Sequence, residues 1–329
     1  VSADSITSTL WSGNNPILNQ FFTSSTTSSF NFFLDVFQTS SLRSDAEVQF
    51  SIAYGENEGS GSAPFNNLVT GSSPSKVTYG QYRTLVNGDE NTNFNFGNNN
   101  TSSRDIYVLN VNRARYKEKL FPGTFNLVLS GSDGTDAARI QLTDNSKDVT
   151  TTTFSDAGRV FDIVSGSDGS AFTGTHDLGY ASADLGSYGK FLPDVGVILL
   201  SGPALDAAHP IGLGFNALRT LNTNGDNITG LYECIRQGAS GSLQSEETIS
   251  SNFVFVRVRN SEFNYSTNPS NITGSGELRH DIMINSPQAY ITTVGLYNDS
   301  NDLLAIAKLS RPLLKDFTKE ALVRIKLDY

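Results

Sequence analysis

Apolar and polar residues alternate along several short stretches of this chain, which is the pattern of β-strands with one buried face. Residues 46–54, AEVQFSIAY, alternate in this way, and so do residues 252–260, NFVFVRVRN. Residues 195–205, VGVILLSGPAL, are instead a continuous apolar run, which predicts a strand buried on both faces. These stretches predict an all-β chain of antiparallel sandwich or barrel-like sheets, with long loops and little helix.

Residues 104–145 predict three further strands. The stretches RDIYVLNV, TFNLVLSG and ARIQLTDNS are separated by an FPG turn and by a loop rich in Gly and Asp. We therefore predict an antiparallel meander here. Residues 206–250 are the part of the chain most permissive for helix, although NTNGDN interrupts them.

The end of the chain, residues 289–329, predicts a three-stranded unit. AYITTVGLY and DLLAIAKLS flank a polar loop of hairpin length at 298–302, and ALVRIKLDY closes the chain. This last strand places Val323, Ile325 and Leu327 on one face. The intervening RPLLKDFTKE has room for one helical turn. A terminal strand must be held in a sheet, of its own chain or of a neighbouring subunit, or it would fray.

Breaks in these patterns divide the chain into four predicted regions. They are an N-terminal arm at 1–46, a β domain at 47–145, a loop-rich β domain or insertion at 146–250, and a C-terminal β unit at 251–329. The last region carries the terminal hairpin and is either separate or completes the first domain.

The N-terminal arm combines large aromatic residues with a segment rich in Ser and Thr. Such aromatic residues need a surface to pack on, either in their own core or on a neighbouring subunit. We name five of them as candidate subunit contacts: Trp11, Phe21, Phe22, Phe32 and Phe33.

Composition narrows the possible functions. The 329 residues carry 33 acidic and 23 basic side chains, a net charge of −10, which argues against binding nucleic acid as the main role. The single cysteine, Cys234, cannot form an intrachain disulfide. No apolar run approaches the ~20 residues of a membrane-spanning helix.

The sequence carries no recognisable catalytic motif. It has neither a nucleophile elbow nor a phosphate-binding loop. The three histidines, His176, His209 and His280, lack the spacing of metal ligands. Three Asp-Gly loops fit turns better than calcium sites, because none ends in the Glu of a calcium-binding loop. We predict no enzymatic activity, no cofactor and no metal site.

Four basic residues stand at alternate positions of residues 104–120. If this segment is a strand, all four share one face over roughly 20 Å. Such a face is solvated, docks on an acidic neighbouring subunit, or binds nucleic acid, which the acidic composition disfavours. We name the four residues as candidate subunit contacts: Arg113, Arg115, Lys117 and Lys119.

Several stretches resemble segments of virion structural proteins of contractile-tailed phages, notably those that infect cyanobacteria. They are EVQFSIAYG with the following GSGS, IYVLNVNRARYKEKLFPGTFNLVL, IQLTDNS, GSYGKFLPDVGVILLSGPAL, and the run from AYITTVGLY to the last residue. The last run is similar to a hairpin of tail-fibre and baseplate proteins. The resemblance extends from about residue 47 to 329 and leaves the arm unmatched. Its motifs are structural, so no active-site residue follows from it.

The resemblance implies a structural subunit of a bacteriophage virion, in the tail baseplate or the tail-fibre attachment region. Such a subunit acts through contacts with other virion proteins and with copies of itself, without nucleic acid or membrane. The alternative is a carbohydrate-binding β-sandwich module of a fibre or a secreted adhesin. Its candidate sugar-stacking residues are Tyr180, Tyr188 and Phe191.

Overall fold

The computed structural model describes two compact units. Residues 5–247 form the larger unit, and residues 1–4 with 248–329 form the second, called here the C-terminal unit. The described residues are 2–11, 33–38, 42, 44–61, 73–97, 102–131, 139–173, 186–207, 212–213, 226–238 and 240–328, with only the backbone for 2–11 and 226.

Strands hold 46% of the residues and helices 16%, and the strand pairs run antiparallel, which confirms the predicted all-β class. The strands are β1 (Ser2–Trp11), β2 (Phe33–Phe37), β3 (Val48–Glu56), β4 (Asp105–Val111), β5 (Lys119–Leu120), β6 (Asn126–Ser130), β7 (Arg139–Asp144), β8 (Thr153–Ser155), β9 (Gly158–Ser167), β10 (Ser170–Ala171), β11 (Gly189–Leu192), β12 (Val197–Ser201), β13 (Ser240–Val258), β14 (Ala289–Tyr297), β15 (Leu303–Lys315) and β16 (Ala321–Asp328). The helices in the described residues are α1 (Pro74–Asn87), α2 (Gly202–Asp206), α3 (Asp226–Gly238) and α4 (Ile282–Asn285), with a 3-10 helix at Arg113–Arg115.

The larger unit is built on one sheet in the order β13–β6–β7–β9–β11–β12–β4–β3–β2. The short strands β8 and β10 pair with β9, and β5 and β1 pair with β13. Side chains alternate across the central strands, so Tyr107 and Leu109 enter one core, which α3 also joins. Ile106 and Val108 enter a second core on the opposite face, where Tyr79 of α1 packs. Both faces of the sheet are therefore covered.

Helix α1 has clear end signals. The Ser73 hydroxyl accepts a hydrogen bond from the backbone N–H of Lys76 (3.4 Å), and Pro74 occupies the first turn. At the other end Gly88 adopts a left-handed conformation (φ 65°) and donates its backbone N–H to the Thr84 carbonyl. This helix is not among the elements predicted from the sequence.

Three predicted strands are confirmed as β3, β12 and the second part of β13. β12 is buried on both faces: Ile198 and Leu200 enter one core, and Val197 and Leu199 enter the other. Helix α3 lies within the region predicted to be most permissive for helix.

The predicted meander at 104–145 is wrong. β6 and β7 do pair, but β4 pairs with β3 and β12, and β6 takes β13 as its other neighbour. The physical reason lies at Asn112, whose side chain accepts the backbone N–H of Ala114 and caps the 3-10 helix there. The chain turns at this point and does not run directly back along β4.

The predicted arm contributes β2 to this sheet. β2 pairs with β3 at the sheet edge, and its Leu34 and Val36 are buried in the core of the larger unit. This part of the arm therefore packs on its own chain.

The predicted three-stranded terminal unit is also wrong. β16 pairs with β13 from Ala321 to Asp328, while β14 and β15 form a separate two-stranded sheet. Val323 and Ile325 are buried as the alternation predicted. The closing strand is thus held by its own chain. No helix forms in the described residues 311–320: β15 continues to Lys315, and a single turn follows, in which the Lys319 backbone N–H donates to the Asp316 carbonyl (3.2 Å).

Candidate assembly surface

The hairpin of β14 and β15 lacks the cover that such a sheet normally has. Within the described residues, the two strands pair only with each other. No side chain from 289 to 314 is buried. An isolated two-stranded hairpin is marginally stable in water, and stable sheets cover at least one apolar face. Among the residues that the structure describes, this hairpin therefore presents an apolar surface without a partner.

One face of the hairpin carries a compact apolar cluster. Tyr297 stands opposite Leu303, and Gly295 stands opposite Ile306, so these residues point to the same side. A Cβ at Gly295 would lie 2.9 Å from a ring carbon of Tyr297 and 3.4 Å from Leu303 Cδ1. Tyr297, Leu303 and Ile306 are 61%, 47% and 58% exposed. We call Gly295, Tyr297, Leu303 and Ile306 the hairpin patch.

The two strands differ in how their edges are protected. β14 contains neither a charged residue nor a proline along Ala289–Tyr297. β15 carries Lys308, Arg311 and Pro312, and the pairing register shifts beside them. Lysine, proline and bulges are the features that prevent unwanted pairing at a sheet edge. β14 is therefore the open edge of the hairpin.

The tip of the hairpin is a closed polar turn. The Asn298 side-chain oxygen accepts the backbone N–H of Asp302 (2.7 Å), and the Asn298 backbone N–H is donated to the Asp302 carbonyl (3.1 Å). Asn301 adopts a left-handed conformation (φ 64°), which asparagine tolerates. Asp299 and Asp302 make this tip acidic, whereas Lys308 and Arg311 make the stem basic.

The base of the hairpin is held by a buried lysine. The Lys315 ammonium donates to the Asn260 carbonyl (3.0 Å), the Asn264 Oδ1 (2.7 Å) and the Asp316 carbonyl (2.9 Å). All three N–H donors are thus satisfied by neutral oxygens. The contacts fix the end of β15 to the loop that follows β13.

A neutral cleft lies beside the start of β14. It has a volume of about 410 Å³ and includes the amides of Asn268, Asn271 and Gln288, the hydroxyl of Ser270 and the ring of Tyr290. No charged side chain lines it. Amides, hydroxyls and an aromatic ring suit a neutral ligand rich in hydroxyl groups.

The predicted aromatic contacts of the arm are placed only in part. Phe21, Phe22 and Phe32 lie outside the described residues, and Trp11 lies in β1 with its side chain outside them. Phe33 begins β2 and is 54% exposed. A subunit contact through these residues stays a prediction.

The predicted basic stripe does not form one face of a strand. The 3-10 helix and a bend lie between β4 and β5, so the alternation has no strand to act on. Each basic side chain instead contacts its own chain: Arg113 the Tyr116 carbonyl (2.6 Å) and ring, Arg115 Glu47, Lys117 Glu247 (3.1 Å) and Lys119 Glu246 (3.7 Å). The acidic partners lie within this chain, and a contact with a neighbouring subunit stays a prediction.

Two of the three sugar-stacking residues of the alternative hypothesis are misplaced for that role. Tyr188 and Phe191 are buried in the core of the larger unit, and burial raises the pKa of Tyr188 to about 12. Tyr180 lies outside the described residues. The cleft near Tyr290 was not predicted from the sequence, because the amide residues that line it come from separate segments that only the fold brings together.

Other chemical groups give little indication of catalysis. His280 lies in the C-terminal unit, whereas His176 and His209 are outside the described residues. Cys234 is buried, and the chain has no second cysteine for an intrachain disulfide. In the described part of the chain, His, Cys, Asp and Glu side chains form no group of three that could hold a metal ion. The helices described are too short or too polar to cross a membrane.

Comparison of the chain with protein-family models, with curated proteins and with solved structures finds no match. The resemblance to phage virion proteins thus remains an expectation from the sequence. Among the surfaces described above, the hairpin patch is the most distinctive.

Proposed function

We propose that the chain is a structural subunit of a bacteriophage virion, in the tail baseplate or the tail-fibre attachment region. It acts through contacts with other virion proteins and with copies of itself. The observation that carries this proposal is the hairpin of β14 and β15, which is anchored at its base but has no cover on its apolar patch. The resemblance of its sequence to tail-fibre and baseplate hairpins supports the phage assignment.

The energetics favour a surface made for a partner. Tyr297, Leu303 and Ile306 each leave about half of their side chain in water. Full burial of such a side chain is worth about 1.5–3 kcal/mol, so covering the exposed halves contributes roughly 2–4 kcal/mol. A monomeric chain leaves these side chains in water, whereas a subunit that buries them against a partner gains this free energy of burial.

Mass spectrometry of purified phage particles tests the assignment. We expect peptides of this chain in density-purified virions, in a constant ratio to the other tail proteins across preparations. The control is the lysate supernatant, from which particles have been removed. A chain that is abundant in the lysate but missing from the particles contradicts the proposal.

A second candidate function is carbohydrate binding, and the neutral cleft beside Tyr290 favours it. The cleft has the size for a sugar, and its lining combines amide and hydroxyl residues with Ile282, Met283 and the ring of Tyr290. A glycan array probed with the full chain tests this function, with Tyr290→Ala as the variant that removes the aromatic surface. Tyr265→Ala is the control, because Tyr265 is equally exposed but does not line the cleft. Binding that both variants retain excludes this cleft.

A further inference from the structure

We propose that the neutral cleft beside β14 binds a neutral N-acetylated sugar and recognises it by its acetamido group. The inference rests on carbohydrate binding, the second candidate function, and it names the class of sugar that the cleft takes. It is carried by three features of the cleft: amide atoms that its own loop leaves open, an apolar wall, and a lining without charge.

The loop that follows β13 holds the cleft in shape. The Asn268 carbonyl accepts the backbone N–H groups of Asn271 (2.8 Å) and Ile272 (3.1 Å). The Asn268 side-chain oxygen accepts the backbone N–H of Ser270 (3.2 Å), and the Asn271 side-chain nitrogen donates to the Ser266 carbonyl (2.7 Å). These bonds order the loop before any ligand arrives.

The same contacts leave particular amide atoms open. Among the described residues, Asn268 Nδ2 donates to no acceptor and Asn271 Oδ1 accepts from no donor. Asn271 is only 8% exposed, and an amide oxygen held in such a site needs a donor. Gln288 uses its Nε2 for Ser286 Oγ (3.5 Å) and keeps its Oε1 open. Open N–H donors beside open amide oxygens are the complement of another amide, which offers one C=O and one N–H.

An apolar wall lies in the same cleft. Ile282 and Met283 line it, and Ile282 is 73% exposed. The hydroxyl groups of a simple hexose gain nothing from such a wall, whereas the methyl of an acetamido group leaves water by packing on it. The ring of Tyr290, which is 64% exposed, offers a flat surface for the C–H face of the sugar ring.

The lining also limits the charge of the sugar. No charged side chain is among the described residues that line the cleft, whose volume is about 410 Å³. A carboxylate placed there would lose water without gaining an opposite charge. We therefore expect a neutral N-acetylhexosamine and not an acidic N-acetylated sugar.

Matched pairs of sugars test the inference on the full chain by NMR titration with saturation transfer. The pairs are the methyl glycosides of glucose, galactose and mannose with their acetamido counterparts, which differ only in one ring substituent. In at least one pair we expect a dissociation constant about tenfold lower for the acetamido sugar, with the strongest saturation at its methyl protons. Equal affinity within every pair, or tighter binding of the hexose, overturns the inference. Tightest binding of the methyl glycoside of N-acetylneuraminic acid, which carries a carboxylate, overturns it as well.

Two isoleucines give a matched pair of variants for the wall. Ile282→Ala shortens the wall, and we expect the preference for the acetamido sugar to fall to about threefold or less. Ile284→Ala is the control, because Ile284 is 66% exposed on the same helix but does not line the cleft. An equal preference in the two variants overturns the role of the wall and with it the inference.

Two asparagines do the same for the open donor. Asn268→Asp keeps the oxygen that accepts from Ser270 and removes the open N–H donor. We expect the dissociation constant of the acetamido sugar to rise about 3–10-fold. Asn285→Asp adds the same charge at an exposed position outside the cleft and should leave the constant within about twofold. Unchanged thermal melting shows that all four variants fold.

The proposals fail separately. Binding of hexoses without a preference for the acetamido group overturns this inference and leaves carbohydrate binding standing. Absence of binding to every sugar overturns both. Neither result changes the virion assignment, which the content of purified particles decides.

Discussion

Replacing Lys315 by methionine tests how the hairpin is held. Lys315 is fully buried at the end of β15, and its ammonium donates to Asn264 Oδ1 and to the carbonyls of Asn260 and Asp316. Methionine keeps most of the side-chain volume but donates no hydrogen bond. Lys315→Met therefore leaves three oxygens at the base of the hairpin without their donor.

The structure allows the size of the loss to be worked out. The Asn264 oxygen lies in a buried contact, and a buried acceptor without a donor costs about 1–3 kcal/mol. The two backbone carbonyls are partly buried and can recover water, so each costs about 0.5–1 kcal/mol. Methionine also avoids the cost of burying an ammonium group, which offsets about 1–2 kcal/mol. We expect a net loss of about 2 kcal/mol in the C-terminal unit.

Hydrogen–deuterium exchange of the full chain measures this loss locally. A loss of 2 kcal/mol corresponds to a roughly 30-fold faster exchange of the protected amides of β14 and β15. Lys308→Met is the matched control, because Lys308 lies on the same strand but is exposed, and it should leave exchange unchanged. Equal exchange in the two variants would show that the buried ammonium does not hold the hairpin.

Three further predictions concern the rest of the chain. Burial raises the pKa of Asp144, so its contribution to stability is present below its unfolded-state pKa and is lost as pH rises through the folded pKa. In urea unfolding, Asp144→Asn should therefore gain stability relative to the native chain as pH rises above about 4, the unfolded-state pKa. Burial opposes ionisation of Asp194, but hydrogen bonds and the ion pair with Arg159 (2.7 Å) outweigh it and lower the pKa, so this contribution is lost as pH falls through the folded pKa. Asp194→Asn should cost about 1 kcal/mol at pH 7, and this cost should shrink as pH falls below about 4. Removal of residues 321–329 deletes β16 and the burial of its two core side chains, worth roughly 3–6 kcal/mol, so circular dichroism should show no cooperative unfolding of the C-terminal unit. A truncated chain whose C-terminal unit still unfolds cooperatively contradicts the pairing of β16 with β13.

Periodicity predicted individual strands well, because each pattern is local. The alternation of 46–54 and 252–260 and the apolar run of β12 depend only on which faces are buried. The burial of Val323 and Ile325 was predicted for the same reason. Alternation predicts that one face of a strand is covered, but it does not predict which element covers that face.

Strand partners were predicted poorly, because pairing is decided over long sequence distances. β16 passes over the adjacent hairpin and pairs with β13, more than sixty residues earlier. Helix α1 was not predicted because its apolar pattern is weak. Ser73 and Pro74 before it and Gly88 after it are nevertheless typical signals of a helix start and a helix end. The exposed hairpin patch could not be predicted for a different reason. The alternation of the two strands predicts that one face is buried, but in the described chain nothing covers that face.

Cross-linking of intact phage particles tests the central claim most directly. Particles are grown with a mixture of isotopically labelled and unlabelled copies of the chain, so that links between copies can be told from links within one copy. The account predicts links that join residues 289–315 of the chain to another virion protein or to another copy of the chain, with Lys308 as the reactive site. Particles that contain the chain but link its hairpin only within one copy contradict the account, and so do particles that lack the chain.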